Sequence, residues 1–361
     1  MKKKILITGC GGYLGSYLVP FLLEKKDYEI IGYDIGFFRK CNLFDSTLLD
    51  SHTKLKDARD IGFLEIEKCD VVIHLAGISN DPLNNLSSEN VYNPTRDYSL
   101  KIAKICKSLG KKFIFVSSCS VYGAAKTKEY LTEISAPNPQ TGYSTNKLQI
   151  EEDLKLIADS TFSPVCLRFA TVFGVSSRIR FDIVINMLVG MAVTEGEIKL
   201  NSDGEAWRPH LYIEDACSAI FHFINFKKKN NNELSIVNIG RNDNNLKIID
   251  IAKIIQDILP KTKIKFLNNS KKNLEDQLFI DRKIKEGHDS RTYKVLFDQL
   301  ENEFFFKCKY TVKDGILKMV DDFLKIKLDH QKFKFNGFYR LQYLESLYKK
   351  KLIDQNLKWV T

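Results

Sequence analysis

The chain has 361 residues, 44% of them hydrophobic and 28% charged. These are ordinary globular values, which exclude a collagen-like, wholly disordered or disulfide-stapled chain and allow a substantial core. Its 55 basic and 45 acidic residues leave a net charge of +10, admitting nucleic acid, a membrane surface or an anionic small molecule as partner.

In chain order, Lys4–Thr8 reads as a short strand running into glycine. A helical pattern over Tyr13–Glu24 and a second strand over Glu29–Tyr33 follow. Asp70–Leu75 is an almost uninterrupted apolar run, the mark of a parallel strand covered on both faces. A helical stretch over Leu86–Leu109 leads to the buried strand Phe113–Val116, and a helix over Ser144–Asp159 precedes Val165–Phe169. This alternation predicts an α/β fold, a Rossmann-type doubly wound parallel sheet with right-handed crossovers. It occupies residues 1–172, with elements near 211–240 (Leu211–Phe226 and Ser235–Ile239) returning to it. Residues 173–330 are expected to form mostly a smaller C-terminal lobe, with a helical pattern over Thr311–Leu324. Residues 331–361 read as a helix and tail.

The charge surplus is carried by 44 lysines against 11 arginines. The lysines lie in solvated runs such as Lys227–Lys229, Lys271–Lys272 and Lys349–Lys351, without the interleaved aromatics of a single-strand groove. No nucleic-acid partner is expected. The eight cysteines are scattered with no CxxC pair, which suggests neither a metal site nor disulfides and fits a reducing compartment. The basic start Met1–Lys4 precedes an apolar run too short for a signal peptide, and no window approaches the ~20 apolar residues of a membrane span. No membrane association and a cytoplasmic location are expected.

Thr8–Gly15 (TGCGGYLG) lies between a strand and a helix, the context in which a glycine run binds phosphate. Gly9 serves the tight turn, Gly12 lets backbone amides approach a pyrophosphate, and Gly15 lets helix and strand pack closely. Asp34 closes the next strand, where a carboxylate bonds a ribose 2′-hydroxyl. An acid there repels a 2′-phosphate and favours NAD over NADP; Arg39 and Lys40 lie close behind. Tyr143 and Lys147 stand four apart, on one face of a helix. A nearby ammonium favours the phenolate of a tyrosine, which is otherwise a poor base at neutral pH. A tyrosine tuned this way can move a proton to and from a hydroxyl group. Ser117–Gly123 (SSCSVYG) follows a buried strand, at the carboxyl edge where open α/β sheets bind ligands.

These motifs occur in order with HLAG (His74–Gly77), LRFATVFG (Leu167–Gly174) and WRPHLYIED (Trp207–Asp215). Together they resemble the extended short-chain dehydrogenase/reductase family, in its NAD-dependent nucleotide-sugar epimerase/dehydratase branch, from residue 2 to about 325. The resemblance implies Ser118, Tyr143 and Lys147 as catalytic residues. It implies a cofactor site of Gly9, Gly12, Tyr13, Leu14, Gly15, Asp34, Asp57, Ala58, Leu75, Ala76 and Gly77, with Tyr143 and Lys147. Ser118, Thr171, Arg178, Arg180, Asn186, Arg208 and Arg291 are the implied substrate contacts, and Arg168 reads as structural. Guanidinium forks suit a diphosphate because two parallel charge-assisted bonds fix its orientation. A homodimer through Leu86–Leu109 and Ser144–Asp159, and a substrate-binding role for the smaller C-terminal lobe, are implied in the same way.

Two departures matter. Thr171 stands where the family often has Asn. The 4,6-dehydratases carry Asp-Glu after the catalytic Ser/Thr, whereas this chain has Cys119-Ser120. The resulting expectation is an NAD-dependent enzyme acting at carbon 4 of a nucleotide-diphosphate sugar, as 4-epimerase or 4-ketoreductase. A 4-dehydrogenase is the alternative and a 4,6-dehydratase a weaker one. A non-catalytic NAD-sensing or nucleic-acid-binding module is the remote alternative, disfavoured by the intact Ser-Tyr-Lys set.

Overall fold

The computed structural model describes residues 2–79, 88–125, 129–227, 233–267 and 292–360. The main sheet is built from β1 (Lys3–Thr8), β2 (Tyr28–Asp34), β3 (Thr53–Leu55), β4 (Val71–His74), β5 (Lys112–Ser118), β6 (Val165–Phe169) and β7 (Ser235–Ile239). Strands outside it are named by their ranges. The order is β7-β6-β5-β4-β1-β2-β3, and every pairing is parallel. β1 lies between β2 and β4, with Ile5 opposite Ile30 on one side and Val71 on the other. The chain reverses its direction of travel across the sheet there, which opens a crevice at the carboxyl ends of the strands.

The helices of ten residues or more are α1 (Gly15–Glu24), α2 (Ser88–Ser108), α3 (Gly142–Ile157), α4 (Val184–Glu195), α5 (Ile213–Asn225), α6 (Ile248–Ile258), α7 (Val312–Lys325) and α8 (Arg340–Lys349). The uninterrupted apolar strands follow from burial on both faces, since successive side chains point to opposite sides. Ile5 and Ile7 pack with Leu18 and Leu22 of α1 and Ile220 of α5. Leu6 and Val72 face the other way, onto Ile102 of α2 and Ile150 of α3. All eight cysteines are unpaired and buried in these layers.

A second core joins Phe173, Phe181, Ile185 and Leu188 to Ile251 of α6 and Ile316 of α7. Beside it Thr171–Phe173 pairs parallel with Trp207–Tyr212, which brings Thr171 and Arg208 to the edge of the crevice. The residues after 330 take a course that their local pattern does not indicate. They run along the cleft wall, where Leu344, Leu347, Ile353 and Leu357 pack with Phe37 after β2 and with Val91 and Tyr92 of α2. No helix of the described residues is long and apolar enough to cross a membrane.

Candidate active site

A cleft of about 880 Å³ runs along the carboxyl ends of the strands, toward the large end of the roughly 300–1,000 Å³ usual for ligand pockets. At its floor the chain leaves β1 through Gly9, whose φ is +70°. A Cβ at Gly9 would lie 2.7 Å from the Ala76 nitrogen, and one at Gly15 would lie 2.6 Å from the Cys10 Cα. A Cβ at Gly12 would meet only the Gly9 carbonyl, at 3.3 Å. The loop is therefore packed closely where Gly9 meets Ala76 and Gly15 meets Cys10, while Gly12 is less crowded and its amide donates to the Gly9 carbonyl at 3.1 Å. Leu14, Leu75 and Gly77 complete this wall.

The Asp34 carboxylate closes β2 and accepts from the Gly11 amide (2.9 Å) and the Gly36 amide (2.7 Å). Burial raises its pKa, opposed by those amides and by the charges of Arg178 and Arg340. Asp57 and Ala58 form the next stretch of wall. Asp57 accepts from the Arg59 amide and from two of its guanidinium nitrogens. The remaining Arg59 bonds reach the tail, to the carbonyls of Asn356 (2.7 Å) and Leu357 (2.9 Å). Trp359 adds a third link, donating from Nε1 to the Ile35 carbonyl at 2.7 Å.

Further along the cleft, Ser118 ends β5 and Tyr143 enters from the first turn of α3. That helix starts where it does because Thr141 and Ser144 cap each other reciprocally, at 3.1 Å in both directions. Ser118 and Tyr143 both line the cleft, and the Ser118 hydroxyl acts to lower the pKa of the Tyr143 phenol. Lys147, one turn later, donates to the Val116 carbonyl at 2.8 Å and lies 5.7 Å from the centroid of the Tyr143 ring. Burial pushes the Lys147 ammonium down to about 8, against the pull of Glu151. Burial raises the Tyr143 phenol; the Arg180 charge and the Ser118 hydroxyl oppose that rise. Arg180 is thus a cation acting on the phenol that helical spacing alone does not reveal.

Behind these groups Glu151 of α3 and Arg168 of β6 form a buried ion pair at 2.6 Å. Glu151 also accepts from Ser117 (2.5 Å), while Arg168 donates to the Tyr122 hydroxyl (2.9 Å). The pair ties α3, β5 and β6 together, in keeping with the structural part read for Arg168. His74 is equally structural: Thr8 and Ser99 hydroxyls lie 2.8 Å from its two ring nitrogens.

Among the implied substrate contacts, Ser118, Thr171, Arg180 and Arg208 line the cleft. Arg180 is forked onto Asp182 (2.8 and 3.0 Å) and donates to Ser79 at 2.5 Å. Arg208 lies 5.5 Å over the Tyr293 ring. Two expected contacts lie elsewhere, and each has a physical reason. Arg178 is 1% exposed and braces the phosphate loop from behind. Its guanidinium donates to the Gly11 carbonyl (2.9 Å), Asp50 (2.6 Å) and Asn42 (3.3 Å). Asn186 is fully buried, accepting from the Gly174 amide and donating to the Tyr13 hydroxyl and the Arg180 carbonyl. Tyr13 touches the cleft, but its hydroxyl is turned into that internal network and donates to the Gly174 carbonyl. Arg291 lies outside the described residues. Ser120, Phe38 and Arg340 also line the cleft. None of these three was expected as a site residue; Ser120 was noted only as standing, with Cys119, where the dehydratases carry Asp-Glu.

Residues 5–240 match the model of the NAD dependent epimerase/dehydratase family. The chain belongs to that family. The match bears out the resemblance carried by the ordered motifs, and it makes the protein an NAD-dependent enzyme. The cleft fits the cofactor: its lining has a glycine loop running into the N-terminus of α1 and a half-buried carboxylate at the end of β2. The chain is 28% identical over 284 residues to the bifunctional polymyxin resistance protein ArnA of Wigglesworthia glossinidia brevipalpis, covering 71% of this chain and 41% of that protein. It therefore spans about two fifths of that relative's length. The fold is similar to that of TunA, an NAD-dependent NDP-hexosamine 5,6-dehydratase. That likeness has a TM-score of 0.73 and 21% identity, covering 91% of this chain and 99% of that one. It is also similar to the UDP-glucuronic acid 4-epimerase of Bacillus cereus, with a TM-score of 0.70 and 22% identity, covering 90% and 99% of the two chains.

Proposed function

We propose that this family member acts at carbon 4 of a nucleotide-diphosphate sugar, as a 4-epimerase or a 4-ketoreductase. The observation that carries the reading is that Ser118, Tyr143 and Lys147 line one cleft, with the Lys147 ammonium 5.7 Å from the Tyr143 ring centroid and no carboxylic acid following Ser118. Bound NAD supplies a hydride acceptor and donor. The chain's own part is to hold the sugar oxygen and move its proton. The Ser118 hydroxyl can bond the reacting oxygen while the Tyr143 oxygen takes the proton in oxidation and returns it in reduction. A buried phenol resists ionisation, so the Arg180 charge and the nearby Ser118 hydroxyl are what favour the basic form. Arg208 at the outer edge, stacked on Tyr293, suits the diphosphate.

Elimination of water needs an acid near the leaving hydroxyl. The thiol of Cys119 is buried, donates to the Arg168 carbonyl at 3.2 Å, and is pushed well above its ordinary pKa by burial. The Ser120 hydroxyl is no stronger an acid than an ordinary alcohol. A 4,6-dehydratase reading is disfavoured on that ground.

The test is incubation of the full chain with a panel of UDP- and dTDP-sugars and their 4-keto derivatives, with products identified by NMR. A carbon-4 epimer formed without net change in cofactor marks an epimerase, and consumption of NADH with a 4-keto sugar marks a reductase. The Tyr143→Phe variant should lose at least about 100-fold in kcat while still binding NAD. Retained turnover in that variant, or a product lighter by one water, would overturn the reading.

A further inference from the structure

The C-terminal segment carries a cation into the cofactor cleft that the chemistry above does not use. Arg340 opens α8, is 5% exposed and lines the cleft. Its guanidinium donates to the carbonyls of Gly337 (2.8 Å) and Arg178 (2.6 Å) and lies 4.0 Å from the Phe38 ring centroid. Among the described residues no carboxylate lies within ion-pair distance of it. Asp182 accepts from the Arg340 backbone amide (3.2 Å), but both its oxygens are already taken by Arg180.

The surroundings make this charge costly. Arg178 and Arg180 both repel it; Arg178 is paired with Asp50 and Arg180 with Asp182. Burial, with those neighbours, pushes the Arg340 guanidinium down to about 10. It also stands in the first turn of a helix, where the backbone dipole disfavours a cation. The Asp182 charge offsets these effects only in part, and a buried cation with no carboxylate in direct ion-pair contact is a costly arrangement for a fold. Such a group in a cleft wall calls for an anion from outside.

Its position says which one. The Arg178 that accepts its bond also holds the phosphate loop through the Gly11 carbonyl. The charge of Arg340 is felt at Asp34, on the ribose side of that loop. From Arg340 the chain continues to the carbonyls that bind Arg59 and to Trp359 against Ile35. We infer that the C-terminal segment is part of the dinucleotide site: Arg340 bonds the diphosphate of NAD, and residues 356–359 wall its adenosine end. This rests on the NAD dependence of the family, and not on the identity of the sugar.

The experiment measures binding of NAD, ADP-ribose and adenosine to the nucleotide-stripped full chain by calorimetry, with Tm of the stripped protein as control. Arg340→Met should weaken ADP-ribose binding by about 10- to 100-fold. Adenosine binding should change less than about threefold, and the Tm of the stripped variant should stay level or rise. Arg340→Lys, which keeps the charge and loses the fork, should fall between the two and folds even if the methionine variant does not. An ADP-ribose affinity within about threefold of the parent in either folded variant would overturn the inference. So would equal losses for ADP-ribose and adenosine with a lowered Tm, which mark a structural bolt. A parent chain that binds no NAD would overturn the cofactor assignment, and this inference with it.

Discussion

Replacing Glu151 by glutamine tests how the catalytic elements are held together. Glu151 accepts from Ser117 Oγ (2.5 Å), from Arg168 Nη2 (2.6 Å) and, with both oxygens, from Arg168 Nε (3.1 Å each). The side chains of Arg168 and Glu151 are 4% and 2% exposed, so solvent cannot replace the lost charge. The amide keeps one acceptor and turns an NH2 toward a guanidinium that has no other carboxylate partner among the described residues. Breaking one side of such a pair costs about 3–5 kcal/mol, whereas replacing both sides by apolar groups of similar shape is often neutral. The loss is a large part of the roughly 5–15 kcal/mol that stabilises a typical protein. Urea unfolding of Glu151→Gln should therefore show a loss of about 3–5 kcal/mol, and the double change Glu151→Leu with Arg168→Met should recover most of it. A loss below about 1 kcal/mol for the single variant would refute the reasoning. So would a double variant as unstable as the single one.

Two further outcomes follow from titrating groups. Arg180 opposes the burial that raises the Tyr143 phenol, so Arg180→Met should move the basic limb of the kcat–pH profile to higher pH. An unmoved limb with lowered kcat would assign Arg180 to substrate binding alone. His210 is fully buried, neither ring nitrogen has a hydrogen-bond partner among the described residues, and burial lowers its pKa from 6.5 to about 3. The unfolded chain then binds a proton below pH 6.5 that the folded chain refuses until about 3. The stability this contributes is complete above 6.5 and is lost as pH falls, at about 1.4 kcal/mol per unit. His210→Phe should reduce the loss of stability between pH 7 and 5 by about 2 kcal/mol, measured by denaturant unfolding at both pH values.

The sheet was legible because strands covered on both faces must be apolar throughout, as Asp70–Leu75 and Phe113–Val116 are. β3 escaped notice for the opposite reason: it is three residues long, half exposed, and set in a polar stretch. The glycine loop, Asp34, Tyr143 and Lys147, singled out by local spacing, and Ser118, implied by the family resemblance, all line one cleft. Arg178 shows the limit of that logic. Arg178 and Arg180 stand two apart in one motif, yet one points under the phosphate loop and the other into the cleft. Local spacing does not reveal which of two neighbouring cations faces the ligand. Arg340 was illegible because its partners, Phe38 and Arg178, lie far back in the chain.

The contacts of residues 356 and 357 with Arg59 join positions 297 and 298 apart in sequence. During synthesis the glycine loop, the Ser-Tyr-Lys set and the whole main sheet are made well before those carbonyls exist. Closing so long a loop is an entropic cost that only late, cooperative packing recovers. The outer wall of the cleft is accordingly expected to be the last part assembled. It is also expected to be the first part to open under native conditions, so amide exchange at residues 356–360 should outpace exchange in β1 and β4.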